Sequence, residues 1–393
     1  MYRNIISLTL VFIFGSCQIN NSQAKTPKPQ KVYRITQEFE SNEWYKEQSE
    51  LWKKEIDKNP ASEEAWYNYY NANRYGRFED ISSPERKAKL AKIIDDMGKA
   101  IPGTYTYHLL KFWNTYNCKD MTDAEKALAI NPDRPDIYYS FLAKAMITGD
   151  EKLLKEFCTK LYRSQDTAPW LLNYNYNMLM SVDKNGILFT NGDNDTYPAL
   201  ILQQAKGIRT DVQIINASTL LDKEYFENNL VKKGIALDYA EIKKGLIRSN
   251  FRIEFVRKFI RLMLEKYPEK ALYFAVTIYG EQIKPFKENL YLTGLAFRYS
   301  LDRIDNIAIV KKNLEKKFHI DYLELDIYND LIPGKNLRAY THLNYISPLL
   351  LLGEHYIAAG EYKRAEYWKD LALKIALEAG RDDMVREIKT KLE

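Results

Sequence analysis

The sequence predicts a mostly α-helical protein in which helical hairpins flank a small parallel α/β domain, on three observations. Helix-length segments twice end in the same punctuation, EIDKNP at 55–60 and ALAINP at 127–132, because proline cannot continue a helix and disfavours helix in the residue before it. Near the C-terminus, SPLLLLGEHYIAAGEYKRAEYWKDLALKIAL pairs two apolar-faced helices about Gly360. Between about Asp183 and Phe318, short apolar runs alternate with a helical stripe, as expected of parallel strands covered on both faces.

At 393 residues, 46% hydrophobic and 28% charged, the chain is long enough for two or three globular domains. Its 58 basic and 53 acidic side chains are interspersed and leave a net charge of only +5. That balance does not provide the basic face of a nucleic-acid binder.

Residues 1–17, MYRNIISLTLVFIFGSC, carry an early cation at Arg3, an apolar run from Ile5 to Phe14, then Gly15, Ser16 and Cys17. This is a secretion signal, too short to span a bilayer. It resembles a bacterial lipoprotein signal, although Phe14 and Gly15 depart from the usual aliphatic-then-small pattern. The resemblance implies cleavage before Cys17, lipidation of that residue, and attachment in the cell envelope at the outer membrane, facing the periplasm. Residues 18–31 are polar, contain Pro27 and Pro29, and suit a tether.

Residues 32–182 read as helical hairpins. Pro60 and Pro132 are 72 positions apart, two periods of about 36 residues. In the C-terminal region, 319–393, Leu349, Leu352, Gly353 and Tyr356 mark one helix face, with Ala365 and Ala372 at close-packing positions on the next helix. These spacings resemble tetratricopeptide repeats. The resemblance implies hairpins that bury their apolar faces by stacking and that bind peptides or partner proteins. Cys118 and Cys158 lie in helical sequence without CxxC spacing; a disulfide and two buried thiols both remain open.

Residues 183–318 form the predicted α/β domain, a small Rossmann-like parallel layer. Its strands are expected at Ile187–Thr190, Val212–Asn216, Leu272–Ile278 and Leu290–Phe297, with a helix over Phe251–Tyr267 that aligns Phe255, Phe259, Leu262 and Met263. The first strand runs into Asn191-Gly192-Asp193-Asn194-Asp195. Ligands of parallel sheets bind outside the carboxyl ends of strands, so Asn191, Asp193, Asn194 and Asp195 are candidate ligand-binding residues. Asp193 and Asp195 are the candidate metal pair, since hard cations such as Mg²⁺ or Ca²⁺ take carboxylate oxygens. No cofactor is demanded by the sequence, and a divalent cation is the one this pair would accept. The same turn also ends a strand and starts a helix: Asp195 or Thr196 would serve as N-cap, with Pro198 in the first turn, where its missing N–H is harmless. His108, His319, His342 and His355 form no zinc motif, and no nucleophile-elbow, phosphate-loop or dinucleotide motif occurs. No residue is assigned a catalytic role.

The stretch NGILFTNGDNDTYPALILQQAKGIRTDVQIINASTLL, residues 185–221, resembles the soluble C-terminal region of bacterial membrane proteins similar to protein O-mannosyltransferases, which carry domain of unknown function 2723. ILFTNGDNDT and GIRTDV carry the resemblance. In that family the transfer chemistry belongs to a multi-spanning part that this sequence lacks, so the resemblance implies a docking, sensing or sugar-handling module. Arg209 of GIRTDV is a further candidate ligand residue, expected to pair with the acidic turn.

The expected function is therefore that of a lipid-anchored envelope scaffold binding proteins or glycoconjugates. The alternative is a metal-dependent enzyme acting on sugars or glycoproteins through Asp193 and Asp195.

Overall fold

The computed structural model describes residues 28–76, 83–115, 117–325, 328 and 333–392. The signal and its lipidation candidate Cys17 lie outside the described residues. The chain is mostly helical with one small sheet, and it divides into two compact units between Lys144 and Ala145. Among the described residues no helix is long and apolar enough to cross a membrane.

In the first unit, α1 (Asn42–Lys58), α2 (Glu63–Tyr75), α3 (Pro84–Ala100), α4 (Tyr105–Thr115) and α5 (Thr122–Ile130) pack as successive neighbours. Ser41, Ser62 and Ser83 start α1, α2 and α3, each hydroxyl accepting a first-turn N–H that would otherwise lack a partner. Both Asn-Pro sites end their helices at the asparagine and fold alike. Asn59 (φ −139°, ψ 87°) and Asn131 (φ −141°, ψ 91°) share one backbone conformation. Their side-chain oxygens accept the N–H two residues on, from Ala61 at 3.2 Å and Asp133 at 3.3 Å. Six residues past each proline an aromatic side chain donates to the proline carbonyl: Trp66 to Pro60 at 2.9 Å, and Tyr138 to Pro132 at 2.5 Å. The repeat seen in sequence is thus a repeated corner.

Helix α6 (Tyr138–Thr148) carries the chain across the division, and α7 (Glu151–Ser164) and α8 (Pro169–Met180) open the second unit. Cys158 on α7 is a free, fully buried thiol, so no disulfide joins it to Cys118. Helices α7 and α8 pack on α9 (Asp193–Lys206), the crossover between β1 (Ile187–Thr190) and β2 (Gln213–Asn216). Helices α10 (Lys223–Asn229), α11 (Tyr239–Lys243) and α12 (Phe251–Lys266) lead to β3 (Leu272–Ala275), and α13 (Gly280–Ile283) to β4 (Leu290–Leu292) and β5 (Ala296–Tyr299). Every residue of β1 and β3 is buried. Phe189 of β1 stacks on Phe274 of β3 with centroids 5.0 Å apart and meets Phe259 of α12 edge-on, which accounts for the unbroken apolar runs.

The sheet has the order β2-β1-β3-β5-β4. Strands β2, β1 and β3 are parallel, with Ile187 beside both Gln213 and Leu272. The expected all-parallel layer is corrected at its other edge, where β5 and β4 run antiparallel. The run Leu290–Phe297 is two strands joined by a turn, because Thr293 N–H reaches the Ala296 carbonyl at 2.8 Å. Gly294 in that turn has φ +131°, and a Cβ there would stand 2.6 Å from Phe318 Cζ, so only glycine fits.

The chain continues through α14 (Asn306–Lys316), α15 (Asp321–Glu324), α16 (Lys335–His342), α17 (Ile346–Ala358), α18 (Tyr362–Glu378) and α19 (Asp382–Lys391). Helices α17 and α18 form the C-terminal hairpin about Gly360. Leu349, Leu352, Tyr356 and Ala372 are fully enclosed within it.

Candidate functional site

The acidic turn joins β1 to α9 at the carboxyl end of the parallel strands. Helix α9 starts at Asp193, with Gly192 as N-cap, three or four residues earlier than the expected caps Asp195 and Thr196. Pro198 is therefore inside the helix, where its missing N–H frees the carbonyl four residues back, that of Asn194. Asn175 of α8 donates its side-chain N–H to that carbonyl at 2.9 Å. A tertiary bond thus replaces the helical one, which allows the early start.

Asp195, third in the helix, turns back onto the turn. Its carboxylate accepts N–H bonds from Asn191 at 2.7 Å and Gly192 at 2.8 Å, and a hydroxyl bond from Thr277 just beyond β3. This is half of a capping box, since Gly192 has no side chain to return the bond. Asp195 is 4% exposed, and burial raises its carboxyl despite the bonds from Asn191, Thr277 and Gly192. Loss of hydration and, second, the Asp195 charge also raise Asp193, but Asp193 is exposed and solvent weakens both effects.

Around Asp195 lies a closed polar cluster. Thr190 and Thr196 share a hydroxyl bond of 2.7 Å, and Asn216 donates to Thr196 at 2.9 Å. The Asn216 side-chain oxygen accepts from Ser218 N–H at 2.8 Å and Thr219 N–H at 3.0 Å, while the Ser218 hydroxyl donates to the Asn191 carbonyl. Thr190, Thr196 and Asn216 are all at most 2% exposed. Asn191 and Asn194 join this structure through their main chains.

Arg209 is not part of it, and its expected pairing with Asp193 or Asp195 is corrected. Its guanidinium grips Asp211 through Nε and Nη2, both at 2.9 Å. It also donates to the carbonyls of Leu179 at 2.7 Å, Val182 at 2.8 Å and Asp183 at 3.0 Å. These carbonyls lie in the last turn of α8 and between α8 and β1, so Arg209 serves the opposite end of the strand from the acidic turn. The cause is local: a planar fork takes the carboxylate two residues away together with the open carbonyls of a helix end. Asp211 also accepts Asn185 N–H at 3.0 Å, and the Arg209 bonds lower its carboxyl to about 2.

Residues 171–236 match the family model described as TMEM260-associated domain 2. The match runs from α8 through both ends of β1 and past α10, so it contains Asn175, the acidic turn, the Arg209–Asp211 fork and Asn216. No curated protein matches the chain.

Sequence reasoning missed Thr190, Asn216, Ser218 and Thr277, and read Thr196 only as a cap. A signal was present: the three parallel strands end in FTN, IIN and FAVT, each placing a hydroxyl or amide just where an apolar run stops. It also missed the alternation Asn173-Tyr174-Asn175-Tyr176-Asn177 on α8. Asn177 exchanges two bonds with the main chain of His319, at 2.7 and 2.8 Å, and donates to Tyr345 Oη at 2.8 Å.

Chemically, only Asp193 of the acidic pair faces solvent, while both oxygens of Asp195 are engaged within the chain. Among the described residues no group of three or more His, Cys, Asp or Glu side chains is gathered to hold a metal.

Proposed function

We propose that the protein is a lipid-anchored cell-envelope scaffold that binds proteins or glycoconjugates through hairpins resembling tetratricopeptide repeats. In this reading the acidic turn is a structural joint. The observation that carries it is the state of Asp195: buried, and bonded on both oxygens by Asn191, Gly192 and Thr277. A cation there would have to displace bonds that hold β1, α9 and the β3 end together. The match of residues 171–236 to the TMEM260-associated domain 2 model, with the likeness of residues 185–221 to the soluble part of bacterial membrane proteins similar to protein O-mannosyltransferases, supports a role beside glycoprotein chemistry.

Calorimetric titration with Mg²⁺, Mn²⁺ and Ca²⁺ tests the joint, with no saturable heat expected. Saturable heat that disappears in Asp193→Ala would instead support the metal-dependent enzyme acting on sugars. Labelling with a fatty-acid analogue tests the anchor, and the label is expected to vanish in Cys17→Ala.

A further inference from the structure

Residues 28–34, just before α1, form neither helix nor strand, yet they are held closely by the first helical hairpin. Gln30 N–H donates to Gln48 Oε1 and Val32 N–H to Asn68 Oδ1, both at 2.6 Å. The Gln30 carbonyl accepts the Trp52 indole N–H at 2.7 Å. Gln48 and Asn68 are each 1% exposed. Buried amides in a helical hairpin are unfavourable unless bonded, and here the bonding partner is the main chain of a separate segment. Asn68 is oriented for the purpose, since its amide nitrogen is tied to the Glu64 carbonyl at 2.8 Å, leaving the oxygen to accept.

The segment contributes few side-chain anchors of its own. Val32 is fully buried, and Arg34, 6% exposed, lies over the Tyr139 ring at 4.5 Å. Lys28, Gln30, Lys31 and Ile35 are exposed. Buried Val32, Arg34 over Tyr139 and three main-chain bonds are set against the entropy of ordering seven residues, terms of similar size. The segment is held with little to spare.

We propose that Gln48, Trp52 and Asn68 form a main-chain binding site for a non-helical peptide, and that residues 28–34 are its resident, exchangeable occupant. Bonds at alternate residues, 30 and 32, do not read side chains. Selectivity comes from the pocket for Val32 and the aromatic face under Arg34. The competing partner is accordingly a peptide segment with a small branched apolar residue followed two positions later by a cation. The inference rests on the binding-scaffold reading and narrows it to one site.

Fluorescence anisotropy with labelled KPQKVYRIT, residues 28–36, tests it on the full chain and on its Val32→Asp variant, which loosens the resident segment. The variant is expected to stay folded and to bind the peptide about 10-fold or more tighter than the wild type. N-methylation of the peptide valine should weaken binding by about 10-fold, the size of one lost hydrogen bond. Equal binding by both chains, no binding by the folded variant, or indifference to N-methylation would each overturn the site. Unfolding of the variant would overturn it too, by showing the segment to be fixed core. Failure here with an envelope protein still crosslinking to the wild-type chain removes this site and leaves the scaffold reading in place.

Discussion

Two sites, one in each unit, bury polar side chains to different ends. In the unit ending at Lys144, Gln48 and Asn68 hold the main chain of a segment outside their helices. In the unit beginning at Ala145, Asp195 holds the turn from which its own helix springs, three and four residues back. A remote partner can leave without breaking the helix that holds it, whereas a local one cannot. Buried polar groups therefore point to exchange in one place and to rigidity in the other.

The largest effect expected from breaking this contrast is at Asp195. Asp195→Ala strands the Asn191 and Gly192 N–H groups and the Thr277 hydroxyl, so denaturant unfolding should show a loss of about 3 kcal/mol or more, at about 1–3 kcal/mol per orphaned group. Asp193→Asn, two positions earlier but exposed, should change stability by less than about 0.5 kcal/mol. A similar loss in both would mean that the turn is not organised around Asp195.

Asn68→Ala should have a smaller effect, about 1 kcal/mol, because the freed Val32 N–H can move to water with its segment. Hydrogen exchange should report it first, with protection lost at Val32 and kept within α2. Loss of protection throughout α2 would assign Asn68 to the local class with Asp195.

A further effect is on pH dependence, where the carboxylates at the two ends of β1 oppose each other. Asp211 titrates near 2 in the folded chain, against about 3.9 unfolded. The unfolded chain binds its proton first, so the Asp211 contribution is present above about pH 4 and fades as pH falls toward 2. Asp195 is shifted upward, so its contribution falls as pH rises through the carboxylate range. Urea unfolding between pH 3 and 6 should show a shallower acid loss for Asp211→Asn than for the wild type. A change in the opposite direction would contradict the Arg209 fork.

Much of the helical architecture was legible because it is local. The Asn-Pro stops, the strand Ile187–Thr190 and the stripe on α12 follow from proline geometry and apolar periodicity, and each occurs where expected. Two of the failures share a different cause, in partners far away along the chain. Pro198 looked like a first-turn proline because nothing nearby shows that Asn175 receives the carbonyl it frees. The apolar run from Leu290 to Phe297 looked like one strand because its break depends on Phe318 closing over Gly294. Arg209 was assigned to the wrong carboxylates although its true partner, Asp211, stood two residues away. Proximity was the better guide there.

Cys158 gives this molecule an internal clock. Burial on α7 pushes its thiol up to about 12 and leaves the side chain unexposed, so the thiolate is scarce and shielded from reagent while the helix is closed. Its alkylation at neutral pH can proceed only as often as that part of the unit opens. The rate of that single reaction therefore measures breathing of the enclosing helices in the intact chain, with no engineered probe.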